Sequence, residues 1–385
     1  MKKIIITLVL ALLVTASLYS QDKKKEFTPG GKVWGLAFVD YYYKVSGDTT
    51  GSSTMEYSKA PKDKQAFAFR RIYLGYDYNL SERFSTEFVL EFGGKDLLPG
   101  ANVNSAGAGF GTPNPDGKAT FYIKIANLRW KNIFGYSDLV LGQQGTPTFS
   151  LLSEKVWGFR NVEKTIMDAH GNASSFDFGA GLQNKFDKDG NFGLNFLIAN
   201  GRGAQLENNK FKKYYIDLFG YFMKKQIVVQ VYGDYEDGTT SNEFVNSKRY
   251  TVKGFAALQL EKFKLGVEAF QQAFETTGTA VRPFGVSAFA TANLLNDKTN
   301  NLDINVFARY DMYDPNKNKT TYTSPSDYKE SFITAGVDFQ IDKQIHIIPN
   351  LWMNMYTGKD AVAPATVPDR KSDVVPRITV SYRTP

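Results

Sequence analysis

Catalytic chemistry in this sequence would have to rest on very few residues. The chain has two histidines, His170 and His346, and no cysteine, which excludes disulfides, thiolate nucleophiles and thiolate metal sites. No Gly-x-Ser-x-Gly or His-Glu-x-x-His motif occurs. Asp187-x-Asp189-x-Asn191 begins like a calcium loop, but Phe192 and Ile198 stand where that loop needs glycine and glutamate. The sequence therefore predicts no enzyme, no cofactor and no metal site.

Charged residues recur on one parity of alternating segments, which points to a different chemistry. Rings of basic side chains select anions in a channel, and rings of carboxylates select cations. The two signs are nearly balanced here, and cross-strand ion pairs that stiffen a wall are the alternative role for any one residue. The candidate lumen-lining residues are Arg71, Lys124, Lys185, Lys213, Arg309, Asp311 and Arg377. The same parity carries Lys253, Lys264, Glu87, Glu91, Asp177, Asp217, Asp234, Glu268, Asp303 and Asp338.

The segment Ser175–Gly201 shows which elements would position these charges. Phe176, Phe178, Ala180 and Leu182 alternate with polar residues or glycine, a turn at 187–190 follows, and the alternation resumes from Phe192 to Ile198. Such a hairpin has one apolar and one polar face over a length that spans a membrane. A β-barrel in an outer membrane turns the apolar face to lipid and the polar face to a wet lumen.

The same pattern continues along most of the chain. Tight turns near 81, 133, 188, 225, 261, 298 and 343 alternate with longer loops, and about sixteen strands result. Even strand numbers, short periplasmic turns and long external loops are typical of bacterial outer-membrane barrels. We therefore predict an all-β fold, a transmembrane antiparallel β-barrel of about sixteen strands, wide enough for an aqueous channel.

The ends and the composition are consistent with an exported barrel. Residues 1–20 read as a secretory signal peptide, with Lys2 and Lys3 before an apolar run, and residues 21–385 as one barrel domain. Beyond residue 21 no apolar window is long enough for a membrane-spanning helix. The 30 Phe and 22 Tyr suit strands with aromatic girdles, and a net charge of +7 without a basic cluster does not favour nucleic acid as a partner.

The loop at 146–174 differs from the other loops. Ser150 or Ser153 can cap a helix over Glu154 to Asp168, where apolar residues recur at helical spacing. We favour a partly helical loop that folds into the lumen and narrows it, because long loops with their own structure are usually functional. The alternative is an external loop packed over the rim. The predicted constriction residues are Glu154, Lys155, Arg160, Glu163 and Lys164.

Three short elements stand out within longer stretches: Arg70-Arg71 near the second strand, Gly142 to Ser150 before the loop, and Arg309-Tyr310-Asp311 late in the barrel. In these elements the sequence resembles the phosphate-selective porin family, especially its Bacteroidetes-type outer-membrane members. The resemblance implies a trimeric, sixteen-stranded, anion-preferring channel. Small outward residues that suit a trimer interface are Ala180, Gly254, Ala256 and Ala288.

These observations together predict a porin in the outer membrane of a Gram-negative bacterium. Its partners would be outer-membrane lipid, further copies of the chain in a homotrimer, and small hydrophilic solutes or ions, including anions such as phosphate, that diffuse passively through it. The alternative is an outer-membrane receptor or structural surface barrel with a closed lumen.

Overall fold

The computed structural model describes residues 27–47, 49, 53–93, 121–238, 247–276, 279–319, 327–358 and 370–384. The predicted signal peptide at 1–20 lies outside these residues. Within them, no helix is long and apolar enough to cross a membrane.

The described residues form one closed antiparallel sheet, in which each strand pairs with the next and the last pairs with the first. The strands are β1 (Gly30–Tyr43), β2 (Gln65–Asn79), β3 (Phe84–Gly93), β4 (Tyr122–Phe134), β5 (Tyr136–Gly145), β6 (Phe176–Lys185), β7 (Phe192–Ala199), β8 (Lys213–Phe222), β9 (Ile227–Asp237), β10 (Ser247–Gln259), β11 (Phe263–Thr276), β12 (Thr279–Val281), β13 (Phe284–Asp297), β14 (Leu302–Asp314), β15 (Lys329–Asp342), β16 (Ile345–Thr357) and β17 (Asp373–Arg383). Strand β12 has only three residues, and β11 also pairs directly with β13. The fold is a barrel of sixteen long strands, as predicted.

The alternation predicted for the 175–201 hairpin places its side chains on opposite faces. Phe178 on β6 is 54% exposed on the outer face, whereas its neighbour Asp177 is fully buried inside. The facing of β1, which the sequence left ambiguous, is settled by the same pattern. Asp40 and Tyr42 are buried inside and Val33 is exposed outside, so the even-numbered residues of β1 point inward.

A β-bulge in β2 brings two consecutive arginines into the barrel. Phe38 on β1 lies opposite Arg71, and the next residue, Val39, lies opposite Phe69, so Arg70 is the extra residue. Both arginines are consequently buried on the inner face, at 3% and 6% exposure. A regular strand would have sent one of the two side chains outward.

The hydrophobic core lies inside the barrel and fills one side of it. The inner wall of β9, β10, β13, β14 and β16 supplies Val228, Phe255, Ala257, Phe289, Phe307 and Ile348, and the 146–174 loop packs Leu152, Val156, Trp157 and Val162 onto them. A second cluster joins the loop between β1 and β2, through Met55 and Tyr57, to Phe332 and Trp352. The loop therefore folds inward, as predicted, and a second inward loop accompanies it.

The inserted loop contains two short helices, not the continuous helix predicted over 154–168. Helix α1 (Ser153–Trp157) ends at Gly158, whose φ of 78° is left-handed, and α2 (Ile166–Ala169) begins after an irregular stretch. Neither Ser150 nor Ser153 caps a helix: the Ser150 hydroxyl donates to the Thr146 carbonyl, and Ser153 accepts from Lys253. Of the apolar residues at helical spacing, Val156, Val162 and Ile166 are buried nonetheless and Phe159 is partly buried, because tertiary contacts replace the missing helical turns.

Close packing of aromatic rings over inward glycines gives a stability prediction. A Cβ added to Gly266 on β11 would lie 2.2 Å from the ring of Phe289, inside the packed core. We expect Gly266→Val to lower the free energy of unfolding by about 1–3 kcal/mol, because the ring has to move. Urea titration of the refolded protein in detergent, monitored by tryptophan fluorescence, measures this free energy of unfolding.

Gly30→Val is the matched control. Gly30 at the start of β1 is exposed and has no atom within 4 Å of its added Cβ, so a change within about 0.5 kcal/mol is expected. Equal losses in the two variants would contradict the packing over Gly266.

Candidate functional site

Three buried arginines from the inner wall hold the irregular part of the inserted loop. Their guanidinium groups donate to main-chain carbonyls: Arg70 of β2 to Asn161 and Val162, Arg377 of β17 also to Val162, and Arg309 of β14 to Lys164. Residues 161–164 form neither helix nor strand, so their carbonyls need partners from elsewhere. A guanidinium has five donors in a fixed plane and suits this role.

Two lysines hold the loop on the opposite wall. The Lys253 ammonium on β10 donates to the Thr148 carbonyl at 2.5 Å and to the Ser153 hydroxyl at 2.8 Å. The Lys264 ammonium on β11 donates to the Val156 carbonyl at 2.7 Å. The loop is therefore anchored across the barrel by cations on both sides.

Glu163, a predicted constriction residue, lies beneath the loop surface. Its carboxylate accepts a hydrogen bond from the Trp352 indole at 2.7 Å, and its carbonyl accepts one from Trp157 at 2.9 Å. The residue is only 1% exposed. It anchors the loop in the packed half of the barrel.

Two cavities lined by described residues lie beside the loop. The first, of about 390 Å³, lies between the loop and the inner wall of β2, β3, β4, β6, β8 and β10. The second, of about 370 Å³, lies near the short turns after β4 and β6, and Leu151, Leu152 and Lys155 form its loop side. We call them the central cavity and the turn-side cavity.

Both cavities are lined by more cations than carboxylates. The central cavity has two acidic residues, Glu91 and Asp168, and seven basic ones: Arg71, Lys124, Arg160, Lys164, Arg202, Lys213 and Arg249. The turn-side cavity has one acidic residue, Asp138, and five basic ones: Arg129, Lys131, Lys155, Lys185 and Lys188. The nearly balanced charge expected from strand parity is therefore not what these cavities present.

The loop side of the central cavity carries a small network of charges. Arg160 forms ion pairs with Glu154 and, at 3.1 Å, with Asp168. Burial alone would raise the pKa of Asp168, but Lys164 and Arg160 outweigh it and lower that pKa below its ordinary value. For Lys164 itself, 8% exposed, no carboxylate among the described residues lies within ion-pair distance, and the same holds for Arg202.

The other predicted lumen residues divide into two groups. Lys213 lies at the central cavity and pairs with Asp234 at 3.1 Å. Arg309, Asp311 and Arg377 point inward as predicted, but they are at most 4% exposed because the loop covers them. Arg309 pairs with Asp311 at 2.5 Å within this covered region.

The sequence did not indicate the role of the first long loop. Tyr57 is fully buried in the barrel and donates to Asp40 at 2.5 Å, and Thr54 donates to the carbonyl of Ala169 in α2. This loop therefore supports the inserted loop from one side. Its polar composition resembles that of an ordinary external loop, and only the isolated Met55 and Tyr57 hint at burial.

The two histidines are both engaged in structural contacts. His346 on β16 lies 2.9 Å from the Asp338 carboxylate, and the ring of His170 stacks on Tyr313 at 3.7 Å. Among the described residues, no three His, Asp or Glu side chains are grouped so that they hold a metal ion.

A closed sixteen-stranded antiparallel barrel with a loop folded into its lumen defines the outer-membrane porin fold. Comparisons with known proteins agree at the level of fold. No protein-family model matches the chain, and no curated protein sequence matches it.

Solved structures of outer-membrane proteins, a porin and a channel among them, share the fold over almost the whole chain. The anion-selective porin from Comamonas acidovorans is similar at 15% identity, with 93% of this chain and 100% of that one covered and a TM-score of 0.59. The outer-membrane channel DcaP of Acinetobacter baumannii gives 11% identity, 94% and 99% coverage and a TM-score of 0.61. The trimer form of OmpT, an outer-membrane protein of Vibrio cholerae, is similar at 12% identity. The match covers 93% of this chain and 100% of that one, with a TM-score of 0.58. These similarities support a porin fold and do not single out the phosphate-selective family.

Loss of one arginine anchor should free the loop. Because the chain has no cysteine, a spin label on Lys164→Cys reports the mobility of the loop alone. We expect Arg70→Gln to sharpen the electron paramagnetic resonance spectrum of this label, because two carbonyl contacts to residues 161 and 162 are lost.

Arg71→Gln is the matched control, since it removes the same charge from the next residue. Within the part of the chain that the structure describes, Arg71 pairs with Glu91 on β3 and forms no hydrogen bond to the loop main chain, so the spectrum should stay broad. The same spectral change in both variants would mean that Arg70 is not a specific anchor.

Proposed function

We propose that this protein is a porin of the Gram-negative outer membrane, through which small hydrophilic solutes and ions diffuse passively, with anions such as phosphate preferred. The observation that carries the proposal is the excess of cations around both cavities beside the inserted loop. Anions are attracted where fixed positive charges line a narrow, poorly screened passage. The porin fold and its similarity to an anion-selective porin support the same function. No catalytic role is proposed for either histidine.

The structure also offers support for the alternative, a barrel with a closed lumen that acts as a receptor or a structural surface protein. Two loops fold inward and fill the side of the barrel next to β13–β17 with packed side chains. A measurement of conductance separates the two functions.

Purified protein in a planar bilayer should give steady conductance steps. In a salt gradient, the reversal potential should indicate a preference for anions. Lys164→Glu should shift that preference towards cations, because Lys164 lies at the central cavity and no carboxylate among the described residues lies within ion-pair distance of it. A bilayer that stays silent at high protein concentration would favour the closed barrel.

Lys262→Glu is the control for this shift. Lys262 lies in the exposed short turn between β10 and β11, where the same change in charge is screened by salt. If both variants shift the reversal potential equally, the preference does not arise at the central cavity.

We also propose that the barrel assembles as a homotrimer. Ala180, Gly254, Ala256 and Ala288 face outward, and Ala256 and Ala288 lie in an apolar groove of about 810 Å³ on the outer face. Small residues allow close approach of a neighbouring surface within a membrane. The existence of a trimer form of OmpT with the same fold supports the proposal.

An unheated sample should therefore migrate on a denaturing gel near three times the mass of the monomer, and boiling should convert it to the monomer. Light scattering in mild detergent provides an independent mass. A monomer by both methods would contradict the trimer.

A further inference from the structure

Glu91 on β3 holds two cations of the central cavity at once. Its Oε1 lies 2.6 Å from the Arg71 guanidinium on β2, and its Oε2 lies 2.6 Å from the Lys124 ammonium on β4. The carboxylate is 1% exposed, whereas the Lys124 side chain is 13% exposed. Each oxygen thus serves a different cation, and one negative charge is shared between two positive charges.

This arrangement is that of an oxyanion bound between an arginine and a lysine. Charge-assisted hydrogen bonds from both side chains are how proteins grip carboxylates and phosphates. Two further cations, Arg160 and Lys164, line the same cavity from the loop side. A free oxyanion that entered the cavity would find its best partners already occupied by Glu91.

We propose that Glu91 is a specificity-determining residue, a tethered carboxylate that occupies an oxyanion site and keeps it weak. A channel conducts only when its binding sites release the solute, so a site with two unshared cations would retain multivalent oxyanions. With Glu91 in place, such ions compete with it for Arg71 and Lys124 and pass on. This inference rests on the proposed function as an anion-preferring porin.

The test is the block of chloride current by inorganic phosphate in planar bilayers. In Glu91→Gln, Arg71 and Lys124 lose the negative charge of the carboxylate that they share. The phosphate concentration that halves the chloride current should therefore fall by about tenfold or more. Glu87→Gln is the matched control: Glu87 lies on the same face of β3, its side chain contacts Asn127, and no cation among the described residues lies within ion-pair distance of it. The half-blocking concentration of this variant should stay within about twofold of the unaltered protein.

A double variant tests whether the freed cations are the cause. Glu91→Gln with Lys124→Gln has the net charge of the unaltered protein and only one cation at the site, so weak block should return. Strong block in the double variant, or equal block in Glu91→Gln and Glu87→Gln, would overturn the proposal.

If Glu91→Gln does not fold, Glu91→Asp replaces it, since the shorter carboxylate reaches only one of the two cations and should give intermediate block. Block by phosphate no stronger than in Glu87→Gln would again overturn it.

A second measurement does not depend on conduction. Ligands that bind only the folded state raise its unfolding temperature, so phosphate should raise that of Glu91→Gln more than that of Glu87→Gln. If every variant is silent in bilayers, the proposed function fails, and this measurement still decides whether Glu91 occupies an oxyanion site. Equal shifts would reject the site even in a conducting channel.

Discussion

Closure of the sheet is the constraint on which the rest of the structure depends. Strand β1 pairs with β2 on one side and with β17 on the other, with Leu36 opposite Arg383 and Tyr42 opposite Arg377. None of the long strands that the structure describes has an unpaired edge, so the backbone satisfies its own hydrogen bonds around the whole ring. Closure also fixes which residues face inward, because side chains alternate strictly along each strand except at bulges.

A ring of sixteen strands is too wide for its own side chains to fill. Two loops enter it, and their irregular backbone brings carbonyl groups that need donors. Arg70, Arg309 and Arg377 supply these donors to residues 161–164. These inner-wall arginines therefore bind the inserted loop and are not available to a solute. This is why arginines that suggest an anion path in the sequence are largely covered in the fold.

The sequence was sufficient for the strands and insufficient for the lumen. Period-2 alternation such as that from Phe176 to Leu182 has a direct physical cause in closure, and it predicted about sixteen strands, although it left the facing of β1 ambiguous. The bulge that turns Arg70 inward leaves a trace in the sequence, because the outward apolar residues are odd-numbered before it (Phe67, Phe69) and even-numbered after it (Leu74, Tyr76). The burial of Tyr57 depends on contacts between segments far apart in sequence, such as Thr54 with Ala169. Helix and strand propensities and the spacing of apolar residues carry no information about such contacts.

The charge of the cavities follows from the different lengths of acidic and basic side chains. A short carboxylate on the wall stays near the backbone and is satisfied there, as Asp177 is by the Gly201 amide at 2.7 Å and the Tyr215 hydroxyl at 2.6 Å. Lysine and arginine pack their stems along the wall and extend their charged ends towards water, as Lys124 does beyond Glu91. A count of inward charges by strand parity adds both kinds together, whereas a solute in the cavity meets mainly the ends of the long side chains. An apparently balanced wall therefore presents a positive surface.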